Sequence, residues 1–353
     1  MISKIYFSLL FILNIFNAYS FTQNVTPLNN SIVNNLDQNI SVIIDGNENV
    51  STWINWNDSL VGYWNFDSGN STHVYDLSGN GNDGFYEGDA ISNNTNSIRG
   101  NYSDFDGLND NVNLGDILND LNNDVSFSFW VKKNDTDNFP ILVTDNNPSN
   151  SGSYFGFWIS ILSDNTISSN LGNGAGAGGT NRRTFTTTNS ISENTWNHIL
   201  VTYNSTNNNF NIFLNTENLT GTYSGNSAAF VSQNSFDFIL GFRQRFGPNY
   251  ANGSIDEVMV FNRILSEHEI NSLYDSQSNN FVFDTILNNN TNYNYTIYSI
   301  NSTGNLLKDS YTFYTDTSYI LPITEQNTIS YYSLNSFLSQ LLIIISMGFV
   351  FLR

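Results

Sequence analysis

The stretches SFSFWVK (126–132), YFGFWISIL (154–162), NHILVTYN (197–204) and SIDEVMVFN (254–262) decide the fold. In each, apolar and polar residues alternate with the two-residue period of a strand, and β-branched and aromatic side chains fill the apolar places. FNIFLN (210–215) and FDFILGF (236–242) repeat the pattern, with clusters of Gly, Asn, Asp and Ser between the runs. Strands at this spacing without intervening helices predict an all-β, two-sheet sandwich. One helix is expected at SEHEINSLY (266–274), where Ser266 caps and Glu269, three residues on, completes a capping box.

Composition removes several function classes. The 353 residues carry 11 Lys and Arg against 31 Asp and Glu, a net charge of −20, so no basic face is available for a nucleic acid. There is no cysteine, which excludes thiolate catalysis, iron–sulfur clusters and a disulfide framework. His73, His198 and His268 are far apart in sequence, without the spacing of a zinc site.

Both ends read as addresses. Lys4, the apolar run from Ile5 to Phe16 and the small residues Ala18 and Ser20 form a secretory signal pattern over residues 1–20. Phe337 to Leu352 is apolar and uncharged, and with Tyr331 to Ser336 it reaches the roughly 20 residues that a transmembrane helix needs. Residues 319–330 are then a linker and 331–352 a membrane anchor, with Tyr331 and Tyr332 at the outer interface and Arg353 inside. A lipid-anchor signal is the alternative. Either places the protein at a cell or particle surface, with its N-terminal region extracellular.

The order of motifs then carries a resemblance. GYWNFD (62–67), DLSGNGNDG (76–84), DFDGLNDNVNLG (104–115), SFSFWVK, TWNHILVTYN (195–204), NIFLN (211–215) and GSIDEVMVFNRILSEHEI (253–270) resemble laminin G-like jelly rolls of the concanavalin A-like lectin/glucanase group. The resemblance implies a jelly roll over residues 59–277. FLNTEN departs from the Tyr-Val/Ile-Asp-Gly that family members carry at that hairpin tip. The flanks, 24–58 and 278–318, look like the opening and closing strands of one immunoglobulin-like or fibronectin type III-like sandwich. Each is too short to bury a core alone, so the jelly roll is expected to be inserted in a loop of that smaller domain.

Two constellations are candidates for chemistry. In DLSGNGNDG, Asp76, Ser78 and Asn80 stand at positions 1, 3 and 5, with Gly81 at 6 and Glu87 at 12, a spacing that matches a calcium loop and equally a Gly/Asn turn. The resemblance implies calcium as a cofactor, with Asp67 and Asp256 as partners of Asp76 and Asn82 and a structural role for the ion. The second constellation is a pair of basic loops, LGNGAGAGGTNRR (171–183) and GFRQRFGPNY (241–250). Arg182, Arg183, Arg243, Arg245 and Tyr250 are expected to contact an anionic or hydroxyl-rich ligand, or else to neutralise neighbouring Asp side chains. Trp130 and Trp196 are expected in the core, while Trp53, Trp56 and Trp158 are left open.

An enzyme is not expected. The glucanases of the group carry Glu-x-Asp-x-x-Glu or a close variant on one strand face, and no such string occurs here. Asp256 and Glu257 are adjacent in a strand, so their side chains are expected on opposite faces. The sequence therefore points to a non-enzymatic cell-surface recognition or adhesion protein, binding carbohydrate or a surface protein through a calcium-supported domain. The alternatives are a structural surface spacer and a glycoside hydrolase.

Overall fold

The strand Val125–Lys133 is buried almost throughout, and its two faces meet different partners. Phe127, Phe129 and Val131 enter the main core, whereas Ser126, Ser128 and Trp130 face the segment that ends in the helix Glu267–Tyr274. In the computed structural model, residues 22–45, 50–93, 97–118, 123–144, 153–176, 178–226, 237–244, 248–274, 280–301 and 306–319 are described. Among the described residues the chain is all-β apart from that one helix and a short 3-10 turn at Gly179–Asn181.

A nine-stranded and an eight-stranded sheet make the larger sandwich. The eight-stranded sheet pairs Val125–Lys133 between Asn197–Asn204 and Asn252–Phe261, all antiparallel. The nine-stranded sheet contains Phe139–Val143, Phe155–Ile161, Thr166–Asn173 and Arg182–Ser190, again antiparallel. Between the sheets lie Trp64, Phe127, Phe129, Ile141, Phe157, Ile159, Leu171, Ile199, Val201, Val258 and Val260. FDFILGF is not one strand. Gly241 has φ +79 where the ring of Phe105 leaves no room for a Cβ, and it divides Ile239–Leu240 from Phe242–Arg243.

Strands from the two flanks pair with each other. Asp37–Asp45 lies between Thr22–Thr26 and Asn280–Ile286, while Asn292–Asn301 lies between Val50–Trp56 and Leu306–Thr315. Their core holds Ile40, Val42, Ile54, Trp56, Tyr295, Ile297 and Phe313.

The two sandwiches share a third cluster. Trp53 and Tyr298, opposite each other in register, stack at 4.1 Å with rings 3° from parallel, and Tyr63 meets Trp53 edge-on at 5.4 Å. Met259, Phe261, Leu265, Ile270 and Leu273 complete it, so the outer face of the eight-stranded sheet is covered by the helix and by the flank strands. This double covering explains why Asn197–Asn204 and Asn252–Phe261 are buried nearly throughout rather than alternately. The helix starts as the capping box predicts, with Ser266 N–H donating to Glu269 Oε2 at 2.9 Å and Glu269 N–H to Ser266 Oγ at 3.4 Å. Arg263 adds a two-pronged ion pair to Glu269.

Among the described residues no helix is long and apolar enough to cross a membrane. The expected signal segment 1–20 and anchor 331–352 lie outside the described residues.

Candidate functional site

The DLSGNGNDG loop is organised around one carboxylate. Asp76 Oδ1 accepts from the backbone N–H of Tyr63 at 3.0 Å and of Ser78 at 2.8 Å. Its Oδ2 accepts from Ser78 Oγ at 2.7 Å and Asn82 N–H at 3.0 Å. Asn82 Nδ2 donates to the carbonyl of Val61 at 2.8 Å, and Trp64 Nε1 donates to the carbonyl of Asn82 at 2.8 Å. The tip of the loop reaches the flank sandwich, where the Ser78 carbonyl accepts from Lys308 Nζ at 2.7 Å and Tyr298 OH at 3.3 Å. Asp76 and Asn82 are thereby engaged in a joint between the two sandwiches.

Asp67 and Asp256 belong to a different group. Asp256 is fully buried on Asn252–Phe261, and its charged form is disfavoured first by that burial, then by Glu257 and also by Asp67. Burial and Glu257 likewise push Asp67 up to about 7, although its Oδ1 accepts from Asn101 N–H at 2.6 Å. Gly100 permits that bond, because a Cβ there would strike the Asp67 carboxylate. No hydrogen bond joins Asp67 or Asp256 to Asp76 or Asn82 among the described residues. Asn82 N–H bonds to Asp76, and Asp67 acts electrostatically on Asp256.

Glu257 corrects the expectation about opposite faces. A bulge shifts the register between Ser128 and Trp130, and Glu257 has φ +50. Strict alternation fails there. Asp256 and Glu257 are buried together, with Glu257 N–H donating to Asp256 Oδ1 at 2.7 Å. Glu257 Oε2 accepts from Tyr63 OH at 2.9 Å and pairs with Arg99 Nη1 at 3.4 Å. Among the described residues no three His, Cys, Asp or Glu side chains form a group that could hold a metal ion. Of the residues expected to hold calcium, Asp76 and Asn82 bond within the loop, while Asp67 and Asp256 lie near Glu257, which pairs with Arg99.

The arginines separate in the same way. Arg182 and Arg183 are neighbours in the strand Arg182–Ser190, so they take opposite faces. Arg183 is on the core-facing side, its guanidinium 4.1 Å from the Tyr223 ring and bonded to Asn209 Oδ1 at 2.6 Å. Arg182 is on the outer face, 5.1 Å from the Tyr154 ring, and donates to Tyr154 OH at 3.2 Å. Tyr154 stacks on Trp158 at 5.3 Å, and Arg243 lies 4.7 Å from the Trp158 ring. Gly172 makes room for Tyr154, whose backbone and Cβ a side chain at that position would strike. Tyr250 stacks on Phe242 at 4.5 Å, across the pairing of Phe242–Arg243 with Asn249–Tyr250. Arg245 lies outside the described residues.

The register carries this outer face across four strands, through Val143, Trp158, Asn170 and Thr184. Asn170 Nδ2 donates to the Trp158 carbonyl at 3.1 Å, and Thr184 Oγ1 donates to Asn170 Oδ1 at 2.7 Å. The aromatic rings are nearly buried, while Arg182 and Arg243 remain half-buried. The rings lie against the guanidiniums.

Residues 105–271 match a laminin G family model, described as the concanavalin A-like lectin/glucanases superfamily. This region is similar to laminin G-like domains. Its matched span runs from Phe105 to the first turn of the helix, and the strands Leu60–Trp64, His73–Val74, Gly84–Glu87 and Ile91–Asn93 join the same two sheets from outside that span. No curated protein matches the chain.

Solved structures similar to the chain include a mutant sialidase of Trypanosoma rangeli displaying trans-sialidase activity, at 17% identity and TM-score 0.43, covering 62% of this chain and 33% of that one. The binding domain of botulinum neurotoxin serotype D is similar at 18% identity and TM-score 0.48, covering 63% and 53%. Domain 4 of a GH43 extracellular arabinanase from Geobacillus stearothermophilus, in complex with arabinotriose, is similar at 18% identity and TM-score 0.43, covering 61% and 98%. The chain thus spans about a third of the sialidase and half of the toxin domain.

Within the larger sandwich, sequence reasoning misses Arg99 and the Tyr154–Trp158 pair. An arginine directly before Gly100, in a chain with only 11 Lys and Arg, is the available signal for the first. For the second, the signal was Trp158 at the place in YFGFWISIL that alternates away from Phe157. Trp130 is buried as expected, on the outer face of the eight-stranded sheet and stacked on Tyr274 at 5.6 Å, whereas Trp196 differs from expectation, half-buried with Lys132 Nζ 5.4 Å from its ring.

Proposed function

We propose that the protein is a non-enzymatic recognition protein of a cell or particle surface, and that it binds carbohydrate through the outer face of the nine-stranded sheet. The observation that carries this reading is the placing of Arg182 and Arg243 on the stacked rings of Tyr154 and Trp158. Guanidiniums held this way lose little freedom on binding and present forked donors to hydroxyls or carboxylates. Asn170 and Thr184 extend the same face with polar groups. A surface glycoprotein is the related partner, read through its glycan. The apolar runs at 5–16 and 337–352 support export and anchoring.

Burial supports the non-enzymatic part. Asp256 and Glu257, the adjacent acidic pair, are 0% and 2% exposed, so neither offers a carboxylate to a sugar in a cleft. Asp67, Asp76, Asn82 and Asp256 are not among the residues of the proposed face.

The test is a glycan array, with binding to any positive confirmed by titration. Arg182→Ala and Arg243→Ala are each expected to weaken binding about 10-fold or more, the loss of one charge-assisted contact. Arg183→Ala is expected to leave affinity unchanged. Unchanged binding in Arg182→Ala and Arg243→Ala would refute this face. A spacer without a ligand is the second reading, favoured by the buried Trp53–Tyr298–Tyr63 cluster that fixes one sandwich on the other. Binding to no glycan or surface extract would favour it.

A further inference from the structure

The strand Val125–Lys133 ends on a lysine that is 0% exposed. Lys133 Nζ donates to Asn165 Oδ1 at 2.8 Å and to the Leu162 carbonyl at 3.3 Å, both neutral oxygens. Among the described residues no carboxylate forms an ion pair with it. A buried ammonium without such a partner is costly. On the far side of the same carboxamide, Asn165 Nδ2 donates to Glu193 Oε1 at 2.8 Å. An amine therefore meets the oxygen of an amide whose nitrogen is held by a carboxyl group.

Backbone bonds fix all three residues. Asn165, with φ +65, lies in the turn between Phe155–Ile161 and Thr166–Asn173, and its N–H donates to the Leu162 carbonyl at 2.9 Å. Its own carbonyl accepts from Ile191 N–H at 2.9 Å, two residues before Glu193. Asn194 N–H, directly after Glu193, donates to the Lys133 carbonyl at 2.9 Å. Three chain segments are thus tied together around one amine, one amide and one acid.

We propose that Lys133 and Asn165 are the partners of an intramolecular amide cross-link, formed with Glu193 as its acid–base group, that joins the eight-stranded sheet to the nine-stranded sheet. Burial lowers the pKa of Lys133, opposed by Glu193, Asp135, Asp137 and Asp164, and so favours the free amine that the reaction needs. That amine adds its electron pair to Asn165 Cγ, and the bond from Cγ to Nδ2 breaks. One proton passes from Lys133 Nζ to the departing nitrogen by way of Glu193, whose carboxyl group ends as it began. The products are a secondary amide and ammonia, so no oxidant and no further reactant enters. The reaction also removes the buried charge. In a chain without cysteine, the link supplies the covalent tie between sheets that a disulfide would otherwise give.

The test is mass spectrometry of a tryptic digest of the full chain, produced in bacteria. Trypsin cuts after Lys132 and Arg182, so both residues fall within 133–182. The wild-type protein is expected to yield 133–182 uncut after Lys133 and about 17 Da lighter than its sequence, the mass of the lost ammonia. Asn165→Ala is expected to yield 134–182 at full mass. Glu193→Gln keeps an acceptor for Asn165 Nδ2 but cannot carry a proton, and is expected to lose the cross-link while retaining the fold. A wild-type fragment at full mass, cut after Lys133, would overturn the proposal and leave the two residues a hydrogen-bonded pair. A deficit that persists in Asn165→Ala would overturn it as well, since the ammonia would then come from another amide. An undiminished deficit in Glu193→Gln would overturn the role given to Glu193.

Discussion

Replacing Asp76 with alanine removes an acceptor that organises the joint between the two sandwiches. Four donors lose their partner at once: the backbone N–H groups of Tyr63, Ser78 and Asn82, and the hydroxyl of Ser78. Hydrogen bonds to a charged group are worth about 1.5–3 kcal/mol each when buried, but Asp76 is only partly buried and water can replace some of them. A net loss of about 3 kcal/mol is the resulting expectation. For a domain of this size that lowers the midpoint of thermal unfolding by roughly 6–12 °C. Differential scanning calorimetry of wild type and Asp76→Ala, each in calcium and in chelator, is the assay. Because the role of Asp76 is to accept hydrogen bonds, the drop should be the same in both media. A drop present in calcium and absent in chelator would make Asp76 an ion ligand and refute the reasoning.

Other substitutions probe separate links of the account. Trp53→Ala should cost about 3–5 kcal/mol, the range for deleting a buried aromatic side chain, and should expose the flank strands to limited proteolysis before the laminin G-like domain; simultaneous cleavage of both would contradict it. Asp67, held up to about 7 when folded, ionises at its ordinary 3.8 when unfolded. The folded state thus binds more protons across that interval, and stability should fall as the pH rises from about 4 to about 7. Asp67→Asn, which keeps an acceptor for Asn101, should flatten that fall in urea titrations; an unchanged pH profile would remove Asp67 as its source. Gly100→Ala should destabilise strongly, because a Cβ there occupies the place of the Asp67 carboxylate. Ser266→Ala should cost about 1 kcal/mol through loss of the helix cap, read as a shift in the urea midpoint.

The strands were legible in the sequence because their apolar residues alternate, and the helix because its cap has a signature of its own. SFSFWVK and NHILVTYN fall within strands of the eight-stranded sheet, and SIDEVMVFN runs one residue past the end of its strand at Phe261. What alternation could not show is that this sheet is covered on both faces, since a serine or histidine in it looks like a solvent-facing residue. Ser128 and His198 are buried and bonded to each other at 2.9 Å under the Trp130–Tyr274 stack. The bulge was hidden for a related reason. Only Glu257's φ of +50 breaks the period, and a glutamate gives no local sign of a left-handed backbone.

The candidate residues were half legible. Basic side chains in an acidic chain drew attention to Arg182, Arg183 and Arg243, yet sequence proximity paired the first two where the strand divides them. The calcium-loop spacing at Asp76 was real as a spacing. The same oxygens that would face an ion face the backbone of the turn instead, and no one-dimensional pattern separates these uses.

The most direct test of the central claim is a footprint of bound glycan by hydrogen–deuterium exchange. The account predicts protection confined to the strands that carry Trp158, Asn170 and Arg182, together with the segment around Arg243, and loss of that protection in the Arg182→Ala variant. Protection on the flank strands, or on the exposed edge around His73 and Phe85, would contradict it.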